Sequence, residues 1–128
     1  KIETTILNRS ASRLAFFEAK GFTCKTWQTF TPRSYDLIIN TTSAGLKDEE
    51  YPCAPELLKM VFADAKYAFD VIYNKPTPFL ELAKHCGLTC KDGKEMLLYQ
   101  GVFAFNLFFA QQYDVKMIES FMRPAFDI

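Results

Sequence analysis

The stretch "ETTILNRSASRLAFFEAKGFTCKTW", residues 3–27, decides the fold class. It opens with a short run of β-favouring residues, "ETTILN", and breaks at Asn8-Arg9-Ser10. A helix-like segment, "SASRLAFFEAKG", follows. Gly21 is placed to end it, because glycine takes the left-handed geometry of a helix C-terminus without steric cost. "FTCKTW" then returns to strand character. Strand, helix, strand is the repeating unit of a parallel sheet with right-handed crossovers.

The alternation continues downstream. "YDLIIN", Tyr35 to Asn40, is a continuous apolar run of the kind buried on both faces of a parallel sheet. It breaks into the small polar turn "TTSAGL". "APELLKMVF" reads as a helix with Pro55 near its start. "KYAFDVIY" reads as a strand running to Tyr73. "NKPTPFLELAKHCG" is a turn with two prolines leading into a helix closed by Gly87, and "LTCKDG" a short edge strand and loop. Lys94 to Gln111 reads as one long apolar helix and Val115 to Phe126 as another. The expected class is α/β, and ligands of such sheets sit at the carboxyl ends of the strands. The turns after Leu7, Asn40, Tyr73 and Lys91 are therefore the places to look for chemistry.

The chain has 128 residues, enough for one domain with a real core. Fifteen basic and fifteen acidic residues cancel, and no basic cluster offers a nucleic-acid surface. The most apolar run, "GVFAFNLFFA", is too short to span a bilayer and is flanked by Gln100, Gln111 and Gln112. With no cationic leader, the expected location is the cytoplasm. Among Cys24, Cys53, Cys86 and Cys90 the only cluster is Cys86-x-x-x-Cys90 beside His85, and no second ligand pair accompanies it. The expectation is reduced, mostly buried thiols and no metal. His85 stands at a helix end, where it favours the helix dipole. Met96 reads as core and Asp70 as a structural hydrogen-bonding residue.

The corner after Leu7 carries the most specific chemistry. A nucleotide-binding strand that ends in Asp or Glu accepts bonds from the ribose 2′-hydroxyl of NAD, whereas a 2′-phosphate calls for arginine. Here the corner supplies Asn8, Arg9, Ser10 and Arg13, which favours NADP. Taken alone, the same residues read more simply as a helix cap with two solvated arginines.

Four motifs in order change that balance. "NRSASR", "DLIINTTSAGL", "DVIYNKPTPFLELAKHCG" and "DGKEMLLYQGVFAF" together resemble the C-terminal part of the shikimate dehydrogenase family across nearly the whole chain. The resemblance implies a Rossmann-type doubly wound parallel sheet, here partial, followed by C-terminal helices. It implies that Asn8, Arg9, Ser10 and Arg13 hold the adenosine 2′-phosphate of NADP, and that Thr42, Ser43 and Gly45 line the nucleotide cleft. It places Val71 and Gly93 beside the nicotinamide, and Tyr73 and Gln100 on the substrate, shikimate or 3-dehydroshikimate. Thr41, Val71 and Lys94-Glu95 depart from the usual pattern at the cofactor contacts.

The resemblance also implies that the family's glycine-rich loop, its first strand and its catalytic Lys–Asp pair lie outside these residues. Lys1 is not Met, which fits a fragment. On that reading residues 1–95 form an incomplete NADP-binding domain, and residues 96–128 form helices that pack on a substrate domain. The chain by itself is expected to be inactive. Two strand edges and the stripe Val102, Phe103, Phe105, Phe108 and Phe109 are expected to lack partners and to drive self-association. A quinate-tolerant relative and a non-catalytic dinucleotide-binding module stay open as alternatives, although Tyr73 and Gln100 have no task in the second.

Overall fold

The computed structural model describes residues 2–126. They divide into two compact units, Lys1–Arg33 and Ser34–Ile128.

In the first unit β1 (Thr5–Asn8) pairs in parallel with β2 (Thr23–Thr26), Ile6 opposite Cys24. The connection is a single 3-10 turn, Ala11–Arg13, and a four-residue helix α1 (Ala15–Glu18), not the continuous helix expected from Ser10 to Gly21. Two local facts explain the break. Ser10 makes no side-chain cap bond, so nothing sets a full helical turn at its start. Among the described residues of the unit Leu14 alone is buried, so little packing holds a longer helix. Gly21 acts as expected, with φ of 80°. The Phe22 N–H reaches back to the Phe17 carbonyl and the Gly21 N–H to Glu18, which satisfies the last carbonyls of the turn.

In the second unit β3 (Leu37–Asn40), β4 (Tyr67–Asp70) and β5 (Thr89–Lys91) form a parallel sheet in that order. The register sets Ile38 beside Ala68 and Ala68 beside Cys90, all on the face covered by α2 (Pro55–Phe62) and α3 (Pro78–His85). There Leu58, Phe62, Phe79, Leu80, Ala83 and Leu88 make the core, with the Phe62 and Phe79 rings edge to face. On the other face Leu37 and Ile39 are 48% and 53% exposed. The expectation that "YDLIIN" is buried on both faces is thus corrected: period-two alternation puts only Ile38 and Asn40 into the core of this chain. β4 also ends sooner than expected, at Asp70 and not Tyr73. The separation into two- and three-stranded parallel pieces matches the partial doubly wound sheet expected from the sequence.

The long apolar segment forms α4 (Lys94–Phe108), which stops before Ala110 and Gln111, both in the left-handed region. It packs on α5 (Val115–Met122) through Leu98, Val102 and Ile118. Asp114 caps α5, its carboxylate accepting from the Lys116 and Met117 N–H groups. Val102 and Phe105 therefore do have a partner, while Phe103, Phe108 and Phe109 stay exposed. Met96, expected in the core, faces solvent. The four cysteines are free; Cys86 is exposed and the others half-buried, so burial of the thiols is less than expected. Among the described residues no helix is long and apolar enough to cross a membrane, and no cluster could hold a metal ion.

Arg123 ties the end of α5 to α4. Its guanidinium donates to both oxygens of Glu95, at 2.7 and 3.1 Å, and to Glu119 at 2.7 Å. The hydrogen bonds from Arg123 hold the Glu95 carboxyl below its ordinary value of 4.5. A carboxyl lowered by folding stabilises the fold above its unfolded value, and that contribution is lost as pH falls through the folded one. Arg123→Met keeps the apolar stem and removes the charge. Urea midpoints of wild type and variant should differ at about pH 7 and converge towards about pH 3. A gap of the same size at both would exclude the ion pair as its source.

Candidate functional site

The candidate residues fall in both units. In the first, Asn8 closes β1 and its side-chain oxygen accepts from the Ser10 N–H at 2.9 Å, so the chain turns sharply off the strand. Arg9 is then exposed at the strand's carboxyl end, and Arg13 is exposed at the end of the 3-10 turn that follows. Ser10 is exposed and its hydroxyl is not used as a cap, contrary to one expectation for it. Asn8 thus works as the turn's internal brace. Arg9, Ser10 and Arg13 present two guanidiniums and a hydroxyl to solvent from one short corner, a donor set suited to a phosphate dianion.

In the second unit the site sits where β3, β4 and β5 end. After β3, Asn40 is 3% exposed and organises the turn: its Oδ1 accepts from the Thr42 N–H at 3.0 Å and the Thr42 hydroxyl at 2.8 Å. Ser43 is exposed in the turn that the Leu46 N–H closes onto its carbonyl. Gly45 has φ of 86° and lies against α3; a Cβ there would stand 3.1 Å from Pro78 Cδ. Its N–H donates to Asp48 Oδ1 at 2.9 Å. That bond, with one from the Glu50 N–H, holds the Asp48 carboxyl below its usual range.

After β4 the chain leaves the sheet at Val71, whose N–H still donates to the Asn40 carbonyl. Tyr73 is exposed on this loop, followed by Asn74 in the left-handed region. After β5, Gly93 crosses directly over Val71: a Cβ on Gly93 would lie 2.1 Å from the Val71 carbonyl oxygen. The structure thus brings Val71 and Gly93 together, and the crossing of two backbones accounts for the glycine. Gln100 is exposed on α4, about 10 Å along the axis from Gly93 at the rise of an α-helix.

Thr42, Ser43, Gly45, Val71, Tyr73 and Gly93 thus lie on the loops at one end of one sheet. Two residues with no role assigned from the sequence, Asn40 and Thr77, hold these loops. Thr77 is wholly buried; its hydroxyl donates to Asp70 at 2.7 Å and accepts from the Leu80 N–H as the cap of α3. The signal for both was present, as an Asn two residues before a Thr at a strand end and as a Thr-Pro helix start. His85 keeps to its expected place as the last residue of α3, with Nδ1 2.7 Å from the Glu81 carbonyl. Burial pushes the Cys53 thiol up to about 11, so it offers no thiolate.

No family model matches the chain. Curated relatives do. The chain is 50% identical over 127 residues to the shikimate dehydrogenase (NADP(+)) of Helicobacter hepaticus, covering 94% of this chain and 47% of that one. It is 40% identical over 125 residues to the enzyme of the same name from Helicobacter pylori strain P12, covering 98% and 46%. Among solved structures, shikimate 5-dehydrogenase from Thermus thermophilus, in complex with NADP(H) and shikimate, superposes with a TM-score of 0.72. That match has 29% identity over 97% of this chain and 46% of the other. The chain spans about half the length of the curated relatives it matches.

Proposed function

Because this chain belongs with the shikimate dehydrogenases over the stretch of their sequence that it spans, we propose that the protein interconverts 3-dehydroshikimate and shikimate with NADPH and NADP⁺. The observation that carries this reading is the corner of β1. Two exposed arginines and a serine stand there, in a chain half identical to an NADP⁺-dependent relative.

Arg9, Arg13 and the Ser10 hydroxyl take the 2′-phosphate, with Asn8 holding their turn. Thr42, Ser43 and Gly45 form the small-residue wall along which the dinucleotide lies. NADPH, when bound, supplies the hydride that reduces the 3-keto group. Val71 and Gly93 flank the nicotinamide, and their crossing keeps that wall rigid. The Tyr73 phenol and the Gln100 amide meet the hydroxyls of the substrate; an amide suits a polyol because it both donates and accepts. The proton exchanged with the substrate hydroxyl belongs to groups of a substrate domain. Residues 1–95 are the nucleotide-binding part, and residues 96–128 the helices that pack on that domain. The work belongs to aromatic amino acid and chorismate biosynthesis, in the cytoplasm. The 128-residue chain alone is expected to self-associate through exposed Phe103, Phe108 and Phe121.

The test is turnover. The full-length protein, given shikimate and NADP⁺, should produce NADPH, and the 128-residue chain alone should not. A folded full-length protein that leaves NADP⁺ unreduced would refute the proposal.

A further inference from the structure

We infer that Asp70 is a positioning residue that locks the loop after β3 to the loop after β4, so that the nucleotide-facing turn and the substrate-facing Tyr73 segment keep one geometry. The inference rests on the function proposed above for those two loops. Asp70 is 0% exposed, and three donors converge on its carboxylate. Oδ2 accepts from Asn40 Nδ2 at 3.2 Å and from the Thr77 hydroxyl at 2.7 Å; Oδ1 accepts from the Ile72 N–H at 3.1 Å.

Each donor controls a different stretch of the site. Asn40 uses its remaining oxygen to hold Thr42 by both backbone and hydroxyl. Ile72 immediately precedes Tyr73, and its carbonyl accepts from the Gly93 N–H at 3.2 Å. Thr77 opens α3, and its Cβ would stand 3.3 Å from a Cβ on Gly45. One side chain thus reaches Thr42, Gly45, Tyr73 and Gly93 through single intermediates. Burying a carboxylate is a poor way to gain stability, since apolar residues of equal volume often do as well. What it adds here is direction, because two acceptor oxygens fix three donors, one at the end of β3 and two on the single connection from β4 to α3.

Asp70→Asn in the full-length protein keeps the shape but turns one acceptor into a donor. The new amide has either Asn40 Nδ2 or the Ile72 N–H against it. Pairing it with Asn40→Asp restores a donor opposite an acceptor across the same gap. Asp70→Asn should raise KM for shikimate and for NADP⁺ together, each on the order of tenfold, and the exchanged pair should recover most of both. The Thr42 and Ile72 amides should exchange hydrogen about tenfold faster, with Leu98 and Val102 in α4 unchanged. Thr77→Val, which removes one donor of three, should act in the same direction if Asp70→Asn does not fold. An unmoved KM for either substrate, or unaltered exchange at Thr42 and Ile72, would overturn the inference, even if the variant melts earlier. If wild type does not oxidise shikimate, the proposed function falls, and the exchange of those two amides alone decides the role of Asp70.

Discussion

Gly93→Ala is expected to destabilise the protein by about 3 kcal/mol or more, at the upper end of what one added methyl costs in a packed interior. The added Cβ would meet three atoms of Val71, its carbonyl oxygen at 2.1 Å, its carbonyl carbon at 2.7 Å and its Cα at 3.1 Å. All are backbone, so no side-chain rotation relieves the clash. Neither chain is free to withdraw. Val71 is held to Asn40 through its N–H, and Gly93 to the Ile72 carbonyl through its own. The φ of Gly93 is −77°, open to any residue, so the penalty is steric and not conformational. Gly101→Ala is the control. A Cβ at Gly101 meets only Met122 Sδ, at 3.9 Å, inside a helix where alanine is favoured by about 1 kcal/mol. Urea unfolding should show a lower midpoint with unchanged slope for Gly93→Ala, and an equal or higher midpoint for Gly101→Ala. Equal midpoints for Gly93→Ala and wild type would mean that the two backbones do not cross this closely.

Replacing Arg9 and Arg13 together with alanine should raise the KM for NADP⁺ of the full-length protein by about 10- to 100-fold per arginine, the worth of a charge-assisted hydrogen bond at about 1.5–3 kcal/mol. Both guanidiniums are solvent-exposed at the turn that Asn8 braces, and among the described residues neither is engaged in an ion pair. Their loss therefore leaves no buried partner unsatisfied, and the melting temperature should hardly move. The KM for NAD⁺ should stay near its wild-type value, because that cofactor has no phosphate at the position they serve. A parallel rise for both cofactors would assign the arginines to general attraction of anions. A fall in stability would assign them to the fold.

The class of the fold was legible because strand and helix signals alternate with clean punctuation. Gly21 and Gly87 end their helical segments with φ of +80° and +88°, the left-handed geometry that glycine takes at the least steric cost. What misled lay at segment ends and on helix faces. The apolar run to Tyr73 hid that Asp70 draws the Ile72 N–H onto its own side chain, which turns the chain out of the ladder. "SASRLAFFEAKG" has helical spacing but buries only Leu14, too little to hold three turns together. α4 carries apolar residues all round, so spacing alone does not say that Val102 meets α5 while Met96 and Phe108 face out. The site was legible where a side chain's chemistry is rare at its position, as with Arg9 and Arg13. It was not where the role is to hold another residue, as with Asn40 and Thr77, since such roles exist only once distant segments meet.

The measurement closest to the centre of this account is the ratio of kcat/KM for NADP⁺ to that for NAD⁺, with shikimate saturating, in the full-length wild-type protein. A strong preference for NADP⁺ that largely disappears when Arg9 and Arg13 become alanine is the predicted result. Equal use of both cofactors, or a preference for NAD⁺, would contradict it.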